Sequence, residues 1–147
     1  MKIDKKGVEF LVECEGLELK AYKDVIGIWT IGIGSTRYED GTPVKKGDVI
    51  TRDRALLLFK NTISIYENAV NKLVTSSINQ NQYNALTSFC YNLGVSAFKG
   101  STLLKKVNLN PNDPNITLQL KKWINAGGRP VKGLIIRRDK ESKLYFS

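Results

Sequence analysis

Val8, Leu11 and Val12 follow the i, i+3, i+4 spacing of one helix face along Asp4–Gly16, and the i+7 position is taken by Glu15 instead of an apolar residue. Asp4 reads as the N-cap and Gly16 as the residue that closes the helix, so the element ends where the carboxylate appears. The period then shortens, and Gly16–Gly34 reads as two short strands around a turn at Asp24–Gly27. Thr42–Val44 is predicted as a short third strand. From a cap at Thr51, the residues Ala55, Leu58, Thr62, Ile65, Ala69 and Leu73, with Phe59, Tyr66 and Val70, keep helical spacing over a long amphipathic helix. Asn79 caps another helix, with Leu86, Phe89, Cys90 and Leu93 on one face and Gly94 as its stop. Ser101 opens a short helix through Val107. Asp113-Pro114 reads as N-cap and first helical position of the next, which Gly127-Gly128 would end. A last helix is expected from about Gly133 towards Tyr145.

These elements predict an α+β fold of one domain, well within the usual size range for a chain of 147 residues. The expected organisation is a small lobe over about 12–50 bearing the antiparallel hairpin and a linking helix over about 51–74. A mainly helical lobe over about 79–147 follows, with the N-terminal helix packed on it.

The chemistry begins at Glu15. A carboxylate on the inner face of a last helical turn is desolvated and lies near the negative end of the helix dipole, both of which favour a proton-carrying acid. The bland alternative is a rim residue reaching solvent or pairing with a buried arginine. The hairpin directly after the helix shifts the balance, because it folds Asp24 and Thr30 back towards Glu15. Two carboxylates flanking a cleft are the minimum equipment for glycoside hydrolysis: one protonates the leaving oxygen, the other orients water or attacks. Thr30 could hold that water as a neutral partner.

The pattern Glu15-Gly16-x-x-Leu19-x-Ala21-Tyr22-x-Asp24, followed by Gly27-x-Trp29-Thr30-Ile31-Gly32-x-Gly34, resembles the signature of the phage-type lysozymes, the endolysins or muramidases. Asn79–Phe89, Tyr91–Gly94, Phe98–Leu104, Trp123–Gly128 and Gly133–Arg138 are similar to later parts of that family. The resemblance implies a lysozyme-like fold and cleavage of the β-1,4 bond between N-acetylmuramic acid and N-acetylglucosamine in peptidoglycan, with inversion. It places catalysis on Glu15, Asp24 and Thr30 and glycan binding on Thr36, Tyr91, Ser101 and Thr117. No metal or cofactor is expected. One departure is visible: Ser35 stands where many relatives carry histidine, and the chain has no histidine at all.

Charge adds a partner class. Residues 99–147 hold 11 Lys/Arg against 3 Asp/Glu, a net of +8 in a chain whose total is +9. A basic third attracts anionic polymers, and for a wall hydrolase that means the bacterial envelope. No aromatic RNA motif or helix-turn-helix accompanies the charge, so nucleic acid is not the expected partner. No stretch approaches the roughly 20 apolar residues that cross a bilayer, and no export segment or stable membrane anchor is read. The expectation is a monomer held in the producing cell's cytoplasm until a holin-type membrane protein gives it access to the wall. Cys14 and Cys90 show neither metal spacing nor a disulfide framework and read as reduced thiols. Trp29 and Trp123 read as packing residues more than sugar platforms, while Arg137 and Arg138 either neutralise a buried acid or face solvent. The competing readings are an inactive wall-binding or phage structural protein with this fold, and an antibacterial muramidase toxin.

Overall fold

The computed structural model describes residues 1–147. In chain order the elements are α1 (Lys5–Glu15), β1 (Glu18–Lys23), β2 (Trp29–Gly32), α2 (Arg52–Leu73), α3 (Gln80–Leu93), α4 (Val95–Lys99), α5 (Thr102–Leu109) and α6 (Asn115–Lys121). A small hairpin, β3 (Asn125–Ala126) with β4 (Arg129–Pro130), precedes α7 (Lys132–Tyr145). The class is α+β, as the patterning predicts. The chain divides into a unit formed by Val8–Ile65 and a second formed by Met1–Gly7 with Tyr66–Ser147, so both boundaries fall inside helices.

In the first unit, α1 ends as its sequence dictates: the Gly16 N–H closes on the Val12 carbonyl at 2.8 Å. β1 and β2 pair antiparallel, with Tyr22 opposite Thr30, Lys23 opposite Trp29, and an irregularity between Glu18 and Tyr22 that bends β1. The outer edge of β1 is covered by the chain at 48–50, where Ala21 N–H donates to Asp48 O and Ile50 N–H to Leu19 O. Beneath lies a core of Ala21, Ile31, Val44 and Leu58, with Trp29, Tyr38 and Ile50 packed on it. Ile31 is fully buried, and burying such a side chain stabilises by about 1.5–3 kcal/mol. The third strand predicted at Thr42–Val44 reduces to a single bridge between Arg37 and Pro43. Pro43 sits at its non-hydrogen-bonded position, and the flanking bonds run from the Tyr38 N–H to Thr42 O and from the Val44 N–H to Thr36 O.

In the second unit, α3 is buried on every side from Gln82 to Cys90, and its start is a capping box: Asn79 Oδ1 accepts the Gln82 N–H while Gln82 Oε1 accepts the Asn79 N–H. Asp4, the α1 cap, accepts the Gly7 N–H at 3.0 Å and also the Asn84 amide of α3 at 2.8 Å, tying the N-terminus to this helix. α7 packs most extensively on α3 and also on α6.

One expectation fails here. Gly127-Gly128 does not end a helix: α6 stops at Lys121, and the glycine pair makes the turn between β3 and β4. Both glycines have positive φ (60° and 78°), the conformation that a two-residue hairpin turn of right-handed strands requires. Asp113 accepts the Asn115 N–H at 2.9 Å across Pro114, whose φ and ψ (−61° and −19°) are already helical, so the residue before the proline caps α6 as the spacing predicts.

Candidate active site

Glu15, Asp24, Thr30 and Thr36 all belong to the Val8–Ile65 unit. Glu15 is the last residue of α1 and is half-buried. Its carboxylate lies against the backbone of Gly34, so close that a methyl group there would stand 2.8 Å from Oε1. Two lengths of chain therefore meet at the proposed acid: the end of α1 and the loop leaving β2.

Asp24 opens the hairpin turn. Its Oδ1 accepts two backbone N–H groups, from Ile26 at 3.0 Å and Ile28 at 2.8 Å, while its own N–H donates to the Ile28 carbonyl. The turn thus holds the carboxylate by one oxygen and leaves Oδ2 with no hydrogen bond from the protein. Thr30, in β2, is buried at 4 % exposure, and its Oγ1 donates to the Ile28 carbonyl at 3.0 Å. Asp24 and Thr30 therefore share Ile28: its N–H anchors the carboxylate and its carbonyl takes the hydroxyl proton, which leaves the oxygen's lone pairs as acceptors.

Sequence reading assigned no role to Tyr22, although it stands opposite Thr30 across the ladder. Burial first, and then the negative charges of Glu15, Glu18 and Asp24, push its phenol above the usual range. The phenol thus feels the charge of both Glu15 and Asp24. The signal in the sequence was its place two residues before Asp24, at the end of the strand that leads into the turn.

Of the positions expected to bind glycan, Thr36 is exposed and uses its carbonyl to accept the Val44 N–H. Tyr91, Ser101 and Thr117 lie in the other unit. Tyr91 is half-buried and meets Tyr66 edge to face at a centroid distance of 5.0 Å. Ser101 is 3 % exposed and its hydroxyl is fully used as the α5 cap, donating to Phe98 O at 2.7 Å and accepting Leu104 N–H at 3.1 Å. Thr117 accepts a hydrogen bond from Ser142 at 2.9 Å. Trp29 packs on the core, with Lys23 Nζ 5.4 Å from its ring centroid, and Trp123 packs edge to face on Phe89. Arg137 and Arg138 are both buried around Glu141, which resolves the alternative left open for them. Cys14 and Cys90 are not bridged, and burial pushes the Cys90 thiol up to about 12, so it is inert at neutral pH.

The family model of phage lysozyme matches residues 12–141, a span that contains every one of these positions. The chain belongs to the phage lysozyme family. It is 41% identical, over its whole length and 99% of the relative, to an endolysin of Salmonella phage P22. Among solved structures it superimposes on an endolysin from Escherichia coli O157:H7 phage FAHEc1 with a TM-score of 0.92 at 35% identity, covering all of this chain and 94% of that one. The muramidase domain of SpmX from Asticaccaulis excentricus is similar at a TM-score of 0.85 and 31% identity, covering 99% of this chain and 98% of that domain. This phage-type lysozyme is thus a glycoside hydrolase with peptidoglycan as its substrate class. No helix of it is long and apolar enough to cross a membrane.

Proposed function

We propose that this lysozyme cleaves the β-1,4 bond between N-acetylmuramic acid and N-acetylglucosamine with inversion, using Glu15 as general acid and Asp24 with Thr30 to position the attacking water. The observation that carries the reading is the shared anchor at Ile28, which holds Asp24 by Oδ1 and the Thr30 hydroxyl by its proton. The remaining acceptor capacity of both groups, Oδ2 of Asp24 and the lone pairs of Thr30 Oγ1, is what a water needs when it must lose a proton as it attacks. Glu15 at the end of α1 supplies the opposite half of the reaction, giving its proton to the departing sugar oxygen.

Glu15→Gln tests the acid. General acid catalysis supplies about 10²–10⁴-fold, so the variant should lose nearly all turbidity-clearing activity on peptidoglycan while melting like the wild type. A folded Glu15→Gln protein that kept most of its activity would remove the assignment. NMR of the first-formed anomer tests the stereochemistry: an α product supports inversion and a β product contradicts it.

Substrate strands are contacted by Thr36, Tyr91, Ser101 and Thr117 in this reading, Ser101 and Thr117 by their backbone or through neighbours, since their hydroxyls are engaged within the fold. The enzyme acts as a monomer without metal or cofactor. It accumulates in the producing cell's cytoplasm and reaches the wall once a holin-type protein permeabilises the membrane. Expression with and without such a protein, followed by culture density, tests the delivery route: lysis on expression alone would show that another route exists.

A further inference from the structure

Gly34 is one wall of the place where the Glu15 carboxylate rests. A methyl group at position 34 would stand 2.8 Å from Glu15 Oε1, 3.2 Å from Cδ and 3.5 Å from Cγ. Attractive contact between such atoms is optimal near 3.5–4.0 Å, so the first two separations are repulsive. The backbone cannot retreat to make room. On one side Ile33 is fully buried; on the other Ser35, 1 % exposed, exchanges both backbone hydrogen bonds with Ile31 at 2.8 and 3.0 Å. The carboxylate is the end of a side chain with three rotatable bonds, so it is the part that would move.

We infer that Gly34 is a positioning residue for Glu15: the absence of a side chain there sets where Oε1 comes to rest, and with it the alignment of the acid to the glycosidic oxygen. This rests on the reading of Glu15 as the acid. Gly34 also has a φ of +73°, which strains any other residue, and that strain alone could lower activity. The fold contains its own control. Gly32, two residues earlier, has a φ of +66°, but a methyl group there would meet Ala55 Cβ at 3.5 Å and Ile50 Cδ1 at 3.6 Å, ordinary contacts remote from the carboxylate. The two glycines share a backbone requirement and differ in what stands beside them.

The experiment compares Gly34→Ala with Gly32→Ala, each alone and combined with Glu15→Asp, by kcat and KM on purified peptidoglycan, with thermal melts to establish folding. Displacing a reacting group by about 1 Å can cost on the order of 10²-fold, so kcat of Gly34→Ala should fall by roughly that factor with KM little changed. Gly32→Ala should melt at a similarly lowered temperature and keep kcat within a few-fold. In the Glu15→Asp background the carboxylate is one methylene shorter and withdraws from position 34, so adding Gly34→Ala should cost only about threefold, a non-additivity that a purely structural role would not give. Equal kcat losses for the two glycine variants, or the same factor for Gly34→Ala in both backgrounds, would overturn the inference. An active Glu15→Gln protein would instead overturn the acid assignment itself, and is measured separately.

Discussion

Asp24 Oδ1 accepts the Ile28 N–H at 2.8 Å, so one oxygen of the carboxylate proposed to position water is also a structural part of its turn. The two roles separate by substitution. Asp24→Asn keeps an oxygen for the Ile26 and Ile28 N–H groups and removes the charge; Asp24→Ala removes both. If Asp24 helps a water to attack, Asp24→Asn should fold normally and lose about 10²–10⁴-fold in rate. Asp24→Ala should lose a similar factor and also melt lower. Full activity in Asp24→Asn would reduce the residue to a turn former.

The buried cluster on α7 carries a stability prediction. Glu141 is fully buried, ion-paired with Arg138 at 2.7 Å, and its Oε2 accepts hydrogen bonds from Arg138 Nη2 at 3.1 Å, Arg137 Nε at 3.3 Å and the Ser88 hydroxyl at 2.6 Å. Arg138 also lies 5.1 Å from the Phe89 ring centroid. Removing the one acid leaves two buried guanidinium groups without a counter-charge. Breaking such a pair from one side costs about 3–5 kcal/mol, so Glu141→Gln should shift the urea midpoint by that amount of free energy. A shift under about 1 kcal/mol would show that the cluster rearranges or admits water.

Why some of this was legible and some was not follows from how local each cause is. The ends of α1 and α3 were readable because Asp4, Gly16, Asn79 and Gly94 act on backbone groups within a few residues. The buried face of α2 was legible at Ala55, Leu58, Phe59 and Val70 and misread at Ile65. A stripe through Ile65 keeps a seven-residue repeat, but Ile65 is 60% exposed and Ile63 is 3% exposed. A straight helix turns through 3.6 residues, so a strict heptad drifts about 20° per repeat and the true buried face moves off it. Gly127-Gly128 was ambiguous because the same positive φ serves a helix end and a hairpin turn, and only the pairing partner decides. Short α4 leaves no periodic trace. The contact of Glu15 with Gly34, and the crowding of Tyr22 by three carboxylates, are through-space facts that no spacing along the chain encodes.

Asp4 gives a pH dependence whose sign is fixed by its partners. The Gly7 N–H first, then the Asn84 amide, hold its carboxyl below the ordinary value of 3.8. A depressed folded-state value means that the stabilisation is present above the unfolded value and is lost as pH falls through the folded one. Asp4→Asn retains a cap acceptor and removes the titration, so its stability deficit relative to wild type should be full at pH 7 and shrink below about pH 4. Asp4→Ala loses the cap as well and should cost about 0.5–2 kcal/mol at neutral pH. A deficit for Asp4→Asn that stayed constant down to pH 2 would contradict the linkage.

The Ser35 hydroxyl is buried with no hydrogen-bond partner. A buried polar group without a partner costs about 1–3 kcal/mol relative to a satisfied one. Ser35→Ala removes the hydroxyl and leaves the backbone pairing with Ile31 untouched. It should raise the unfolding free energy by about 1 kcal/mol without altering kcat. Destabilisation by Ser35→Ala would show that the hydroxyl is satisfied.

The basic third of the chain is less basic at its surface than its composition suggests. Arg137 and Arg138 are consumed by Glu141 in the interior, leaving nine cations and two carboxylates over residues 99–147 outside the buried cluster. Lys105, Lys121 and Lys122 are exposed and Lys106 half-exposed, so they can attract the enzyme to anionic wall polymers. Lys121 lies 3.6 Å from Asp139, but both groups are solvated and a pair of this kind contributes little to stability. Attraction between solvated charges is screened beyond a Debye length of about 8 Å at physiological salt. Lysis of permeabilised cells should therefore slow with added salt more steeply than hydrolysis of a short neutral chitooligosaccharide. Replacing the four lysines by glutamine should flatten the salt dependence on cells and leave turnover of the neutral substrate unchanged. An unchanged salt slope in that variant would assign the effect to charges elsewhere on the enzyme.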